Sequence, residues 1–392
     1  MSHPAGTIGP VKILHTADWH VGRSIRGRSR ADEHRAVLAE IADVAGREEV
    51  DLILVAGDTF DVVAPSAESE RIVYQALLDL SGIAPVVLIA GNHDHPRRWR
   101  AVAPLFEMGR VTVGATLQRP EEGGVVRILT ETGETARIAL VPFVGKRGIV
   151  TADDLMALDP FEHGGKYAGR VEAILDKLTE GMTSDDVNLV VAHLMIAEGR
   201  LGGGERVAFT VEDYAIPATA FGGALSYVAL GHLHRLQSVP APAPVWYAGS
   251  PMQLDFGERD DEKGLLVVDA EPGLPATVRP VPLTAGRRLI QLAGTLEELE
   301  TRAGEAELAD AYLKIVVHEP ARAGLGDVVR ELFPNAVDVL LASPRDIGAT
   351  GRDVRLGRPP RELFIEYLER VNASDDDVVA LFDEMLGDAD AT

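Results

Sequence analysis

From residue 11 onward, short apolar runs alternate with amphipathic stretches. The runs at 12–16, 51–56, 85–90, 188–192 and 227–230 are rich in Val, Ile and Leu, the composition of strands buried on both faces. Between the first three, 32–45 and 66–80 carry apolar residues at helical spacing, with Ile72, Leu77 and Leu80 among them. The alternation predicts an α/β layered domain over residues 11–280. After the Pro-rich stretch 271–282, residues 288–292 read as a strand and Thr295-x-x-Glu298 as a helix capping box. A strand at 312–317, a helix at 324–333 and a strand at 336–342 complete a small α+β module spanning 286–345. Residues 346–360 form a Gly/Pro/Arg linker, and 361–386 hold two amphipathic helices. Leu363, Phe364, Tyr367, Leu368 and Val371 share one face; beyond an N-cap at Ser374, Val378, Leu381, Phe382 and Met385 share another.

Composition narrows the chemistry. The 392 residues include no cysteine, which excludes a disulfide scaffold, a thiolate metal site and a thiol nucleophile, and suits a reducing compartment. Any bound metal must therefore use His, Asp, Glu or Asn. No stretch approaches 18 consecutive apolar residues, and the first 15 residues lack a cationic segment followed by an apolar run. The expectation is a cytoplasmic protein with no membrane partner. A net charge of −23 weighs against a nucleic-acid partner, unless bound divalent cations meet the phosphate.

The polar residues that follow the strands carry the chemistry. Directly after the five runs come Asp18-Trp19-His20, Gly57-Asp58, Gly91-Asn92-His93-Asp94, His193 and Gly231-His232-Leu233-His234. In an α/β sheet, ligands bind beyond the carboxyl ends of strands, where segments far apart in sequence converge. Together these segments offer a hard-to-borderline oxygen and nitrogen set suited to Mn²⁺, Fe²⁺ or Zn²⁺. Seven ligand-type side chains exceed the needs of one ion. Two ions ~3.5–4 Å apart, sharing one carboxylate, would use them all and suit in-line displacement at phosphorus, with bound water ionising near pH ~7. The glycines before Asp58, Asn92 and His232 fit sharp turns. His15, inside a strand, is expected in the core and His34 on a helix, while His95 adjoins the site without a role.

These motifs resemble the signature segments of the calcineurin-like metallophosphoesterase superfamily. The longer segments ILHTADWHVGRSIRGRSRADEH, VAGDTFD, AGNHD, ALGHLHR and YAGSPMQLDF are similar to those of its SbcD nuclease family. The resemblance implies a metallophosphoesterase sandwich (α/β) with a small α+β capping domain and a C-terminal helical pair. It further implies that Asp18, His20, Asp58 and His234 hold one metal, and that Asp58, Asn92, His193 and His232 hold the other, with Asp58 as bridge. His93 would be the catalytic histidine and Asp94 would orient it. Asp61 departs from archaeal relatives, which carry a second active-site histidine there. The usual ion of the family is Mn²⁺.

Arg23, Arg26, Arg28 and Arg30 follow the first motif, and Arg97, Arg98 and Arg100 follow the third. Guanidinium groups beside the site would suit DNA phosphates. The chain has no Gly-x-x-x-x-Gly-Lys-Ser/Thr motif of its own. The resemblance implies a partner, an SbcC-type coiled-coil ATPase clasped by the tail helices, and a homodimer within a heterotetramer, with residues 66–80 as a candidate dimer contact. The implied activity is an ATP-dependent double-strand 3′–5′ exonuclease and a single-strand and hairpin endonuclease in DNA repair and recombination. A small-molecule or cyclic-nucleotide phosphodiesterase on the same fold is the alternative, but it leaves the capping module, linker and tail without a purpose. A non-catalytic scaffold is disfavoured by the complete ligand set.

Overall fold

The computed structural model describes residues 9–145, 148–149, 167–205, 214–320 and 322–341, and in the tail 364–365, 367–368, 378–379 and 381–382. The linker at 346–360 and, in the tail, Leu363, Val371, Ser374 and Met385 lie outside the described residues. The first part of the chain runs β1 (Val11–Thr16), β2 (Ser24–Ile25), β3 (Arg28–Ser29), α1 (Ala31–Glu48), β4 (Leu52–Val55), α2 (Ala67–Ile83), β5 (Val86–Ile89), α3 (Pro96–Glu107) and β6 (Val111–Gly114). It continues with β7 (Val125–Leu129), β8 (Thr135–Val141), α4 (Tyr167–Thr179), β9 (Val187–His193), β10 (Tyr227–Gly231), β11 (Gln237–Val239), β12 (Val245–Tyr247), β13 (Gly264–Ala270) and β14 (Thr277–Pro282). The last part is β15 (Leu289–Gly294), α5 (Leu296–Arg302), β16 (Tyr312–Val317), α6 (Leu325–Leu332) and β17 (Ala336–Leu341).

Two six-stranded sheets, ordered β14-β13-β1-β4-β5-β6 and β11-β12-β10-β9-β8-β7, form a sandwich. Side-chain alternation along each strand decides the layers. Val11, Ile13, Leu52, Leu54, Val87 and Ile89 meet Ile138, Leu140, Leu189, Val191, Tyr227 and Ala229 in one buried layer between the sheets. Their neighbours Leu14, Ile53, Val55, Val86 and Leu88 face outward and pack with Val37 and Ile41 of α1 and Ile72 and Leu77 of α2. On the far side, Val190, Val228 and Leu230 pack with Val171 and Ile174 of α4. The order is therefore helix, sheet, sheet, helix, and strands covered on both faces need apolar residues at every position. The helices expected over 32–45 and 66–80 run on to Glu48 and Ile83. Ser66 caps α2, its side chain accepting from the Ser69 amide at 3.1 Å.

The central strands of both sheets run parallel: β1, β4, β5 and β6 in one, β8, β9, β10 and β12 in the other. Register pairs Thr16 with Val55 and His193 with Gly231, so the carboxyl ends within each sheet finish level.

Beyond β14, the three-stranded parallel sheet β15-β16-β17 packs with α5 and α6 around Leu292, Leu299, Ile315, Val329 and Phe333. The capping box at Thr295 and Glu298 is present with both of its hydrogen bonds. Ile25, Phe256, Leu289 and Tyr312 join this unit to the sandwich. The guanidinium groups of Arg30 and Arg287 lie 5.7 and 5.3 Å from the Tyr312 ring centre. In the tail the Phe364 and Phe382 rings stack at 4.0 Å. Among the described residues no helix is long and apolar enough to cross a membrane.

His15 is fully buried and shares a 2.8 Å hydrogen bond with the Tyr227 hydroxyl across the sandwich. Burial lowers its pKa from 6.5 to about 3. The unfolded chain therefore takes up a proton that the folded one refuses, and stability is lost as pH falls through that window. His15→Gln keeps a hydrogen-bonding group that cannot titrate. The slope of stability against pH should fall by up to about 1.4 kcal/mol per pH unit relative to the parent, as read by urea unfolding across the window.

Candidate metal centre

Where β1, β4, β5, β9 and β10 end, the chain turns inward over the sandwich. Asp18, His20, Asp58 and His232 have φ of 52°, 46°, 50° and 104°, a left-handed region that residues other than glycine rarely occupy and that costs of order 1–3 kcal/mol each. Strain of this size persists only where surrounding bonds hold it. The loop after β1 is zipped to the loop after β4: the amides of Asp18, His20 and Val21 each donate at 3.0 Å to the carbonyls of Gly57, Asp58 and Thr59. The Asp94 carboxylate ties the third loop to the second, accepting from the Gly91 and Phe60 amides at 2.9 and 3.1 Å and from the Thr59 hydroxyl at 2.8 Å. Close approach requires two of the glycines. A Cβ on Gly91 would sit 2.1 Å from Asp58 Oδ1, and one on Gly231 would sit 2.0 Å from the Ala56 carbonyl oxygen.

The donor atoms fall into two sets that meet at Asp58. In the first, His20 Nε2 lies 3.1 Å from His234 Nε2 and 3.7 Å from Asp58 Oδ2, and Asp18, His20 and Asp58 form a compact ligand cluster. In the second, Asn92 Oδ1 lies 2.9 Å from both His193 Nε2 and His232 Nδ1, and His193 Nε2 is 3.3 Å from Asp58 Oδ2. Such spacings match donors that share an ion through bonds of about 2.0–2.2 Å. Nitrogen and oxygen donors of this kind suit two divalent cations. The electrostatics are those of a functional cluster. Burial lifts Asp18 to about 7 and, with neighbouring His93, lowers His20 to about 3. For His193 and His234 burial opposes the charge, but Asp58 and Glu258 outweigh it and raise both to about 9.

Comparison with known proteins agrees with this geometry. Residues 11–236 match the calcineurin-like phosphoesterase family. The chain is 31% identical over 84% of its length to the SbcD component of the SbcCD nuclease of Bacillus subtilis, covering 85% of that protein. The corresponding protein of Rhodobacter capsulatus is 36% identical over 70% of the chain and 69% of its own length. That of Staphylococcus epidermidis is 27% identical over 74% of each. The chain belongs to the SbcD family of calcineurin-like phosphoesterases. It is a metal-dependent phosphodiester hydrolase.

In this SbcD-family chain the seven ligand candidates read from the sequence, Asp18, His20, Asp58, Asn92, His193, His232 and His234, come together at the mouth of the sandwich. His93 joins them: its amide donates to Asp58 Oδ1 and its ring Nδ1 to the Asp61 carbonyl, both at 2.7 Å. The family resemblance assigns Asp94 the task of orienting that ring. The structure gives it to the Asp61 backbone, while Asp94 braces the Asp58 loop. The Asp61 carboxylate faces His20 Nδ1 at 3.5 Å and Arg23 Nη1 at 3.2 Å. Of the arginines, Arg26 pairs with Asp338 of β17 at 2.9 Å and Arg28 donates to the Ala336 carbonyl at 3.5 Å. Arg30 is buried against Glu33, Arg98 pairs with Glu70, and Arg97 is exposed on the first turn of α3.

Several residues around the ligands have no motif to mark them in the sequence. Glu258 contacts the His234 ring, Lys263 contacts Glu258, and Glu205 accepts from the His234 amide. Their signal is weak, since Glu258 and Lys263 sit in an ordinary charged stretch two and seven residues beyond the last recognisable motif. Calorimetric titration with Mn²⁺ tests the two-set geometry. Asn92→Ala should lower the stoichiometry from two ions to one, whereas Asp58→Ala, common to both sets, should abolish uptake.

Proposed function

We propose that this chain is the DNA-cutting component of a complex with an SbcC-type coiled-coil ATPase. It would act as an ATP-dependent 3′–5′ exonuclease on double strands and an endonuclease on single strands and hairpins, in repair and recombination. Supporting this reading is the convergence of the ligand set with His93, together with similarity to SbcD proteins that runs well beyond the phosphoesterase core. A small-molecule phosphodiesterase would account for 11–236 and leave the β15-β16-β17 unit without a purpose.

Bound divalent ions, Mn²⁺ in this proposal, would supply an activated water and neutralise charge on the phosphate oxygens. Asp18, His20, Asp58 and His234 would hold one, and Asp58, Asn92, His193 and His232 the other. With Nδ1 committed to the Asp61 carbonyl, the His93 ring has Nε2 left for the substrate. A hydrogen on Nε2 would be placed to donate to a phosphate oxygen or to pass to the departing 3′-oxygen. Arg23 and Arg97 flank the site and suit backbone phosphates. Arg26 and Arg28 are engaged with β17, so DNA phosphates would compete with those contacts for them.

The tail is proposed to carry the ATPase. Phe364 and Phe382 stack on one another and Leu368 is buried, while Tyr367, Val378 and Leu381 are 50%, 39% and 56% exposed. That leaves an apolar outer surface for helix-in-groove docking. A homodimer through α2, where Leu78 is 47% exposed, would complete a heterotetramer.

Two outcomes test the proposal. The purified chain with Mn²⁺ should cut an end-labelled DNA hairpin, and His93→Ala should slow cutting by about 10²–10⁴-fold while still binding metal; turnover of a small diester alone, with DNA untouched after SbcC and ATP are added, would favour the small-molecule reading. Removing residues 361–392 should abolish co-purification with SbcC and spare Mn²⁺-dependent cleavage of short single strands.

A further inference from the structure

His234 is gripped at three points by residues that are not themselves ligands. Its amide donates to Glu205 Oε1 at 2.9 Å, its carbonyl accepts from Lys263 Nζ at 2.9 Å, and its ring Nδ1 lies 2.8 Å from Glu258 Oε1. Glu258 has no exposed surface. Its other oxygen accepts from the Leu254 amide at 3.1 Å, the Ser250 hydroxyl at 3.2 Å and Lys263 Nζ at 2.7 Å. A carboxylate only accepts, so Nδ1 of His234 donates to Glu258 and its Nε2 is the ring nitrogen left to face the site, 3.1 Å from His20 Nε2. The loop 202–205 seals the pair from above. A Cβ on Gly204 would lie 1.8 Å from Glu258 Oε1 and 2.9 Å from His234 Nδ1.

We propose that Glu258, braced by Lys263 and covered by Gly204, is the positioning residue of His234 and sets the affinity of one metal position, the one His234 shares with Asp18 and His20. The inference rests on the two-metal reading above. A buried ion pair gains little stability over apolar packing, so its place directly behind a ligand ring points to orientation of that ring. Carboxylate backing fixes an imidazole and strengthens it as a donor, and losing it typically costs about 10–100-fold in metal affinity. The second set is backed differently. His193 Nδ1 donates to the Ala56 carbonyl at 2.8 Å, a main-chain acceptor that no change at Glu258 reaches. The effect should therefore be confined to one ion.

The experiment is Mn²⁺ titration of the metal-stripped full chain by calorimetry, with electron paramagnetic resonance to follow spin-coupled pairs. The parent chain should take up two ions. Glu258→Gln should weaken one binding step by about 10–100-fold, leave the other unchanged, and show an uncoupled Mn²⁺ signal at low loading. Gly204→Ala, which displaces the Glu258 oxygen without removing a charge, should do the same. Should Glu258→Gln unfold because Lys263 is left unpaired, the double variant Glu258→Gln/Lys263→Met carries the same expectation, with thermal unfolding in EDTA confirming the fold. Two unchanged steps in a folded variant, or equal weakening of both, would overturn the assignment. A parent chain that binds fewer than two ions would overturn the two-metal reading itself, and the inference with it.

Discussion

The carboxylate of Asp58 is the constraint around which the rest of the centre is arranged. A buried anion must be surrounded by donors or cations, and Asp58 is met by the His93 amide on one oxygen and by His193 and His20 near the other. Burial opposes its charge, but His193 and His93 outweigh that and hold it well below the usual carboxylate range. To reach this position the residue takes a left-handed backbone, and Gly91, just beyond β5, leaves open the space its carboxylate fills. The sandwich supplies what such strain requires: rigid, level strand ends whose loops hydrogen-bond to one another instead of to water.

Three of the ligand rings, those of His193, His20 and His234, are each held from behind in a different way. His193 leans on a backbone carbonyl, His20 faces the carboxylate of Asp61, and His234 rests on a fully buried glutamate. Main-chain support cannot be altered without altering the strand. Side-chain support can be tuned by substitution, and His20 and His234, which share a set with Asp18, both have it.

The segment after His20 ties the centre to the β15-β16-β17 unit. From His20 the chain passes through Arg23, paired with Asp61, into the β2–β3 hairpin, whose Arg26 and Arg28 reach β17. Arginines that look from their spacing like a phosphate-binding cluster thus serve largely to dock one part of the chain on another. A guanidinium satisfies a carboxylate as readily as a phosphate, so residue type alone does not choose between them.

Much of the fold was legible because it is written in short-range periodicity. Strands covered on both faces must be apolar throughout, and β1, β4, β5, β9 and β10 announce themselves in that way, as do the ligands that follow them within a few residues. The capping box at Thr295 is equally local. What the pattern could not carry is contact across distance. Asp338 lies 312 positions from Arg26, and Glu258 lies 24 from His234 in a stretch rich in other acids. The amino-acid sequence by itself determined which residues could bind metal and the strands that would present them. Tertiary structure alone decided which carboxylate stands behind which ring, that Asp94 braces a loop while Asp61 holds His93, and where the arginines turn. Those choices depend on the register and stacking of two sheets, and no local spacing encodes them.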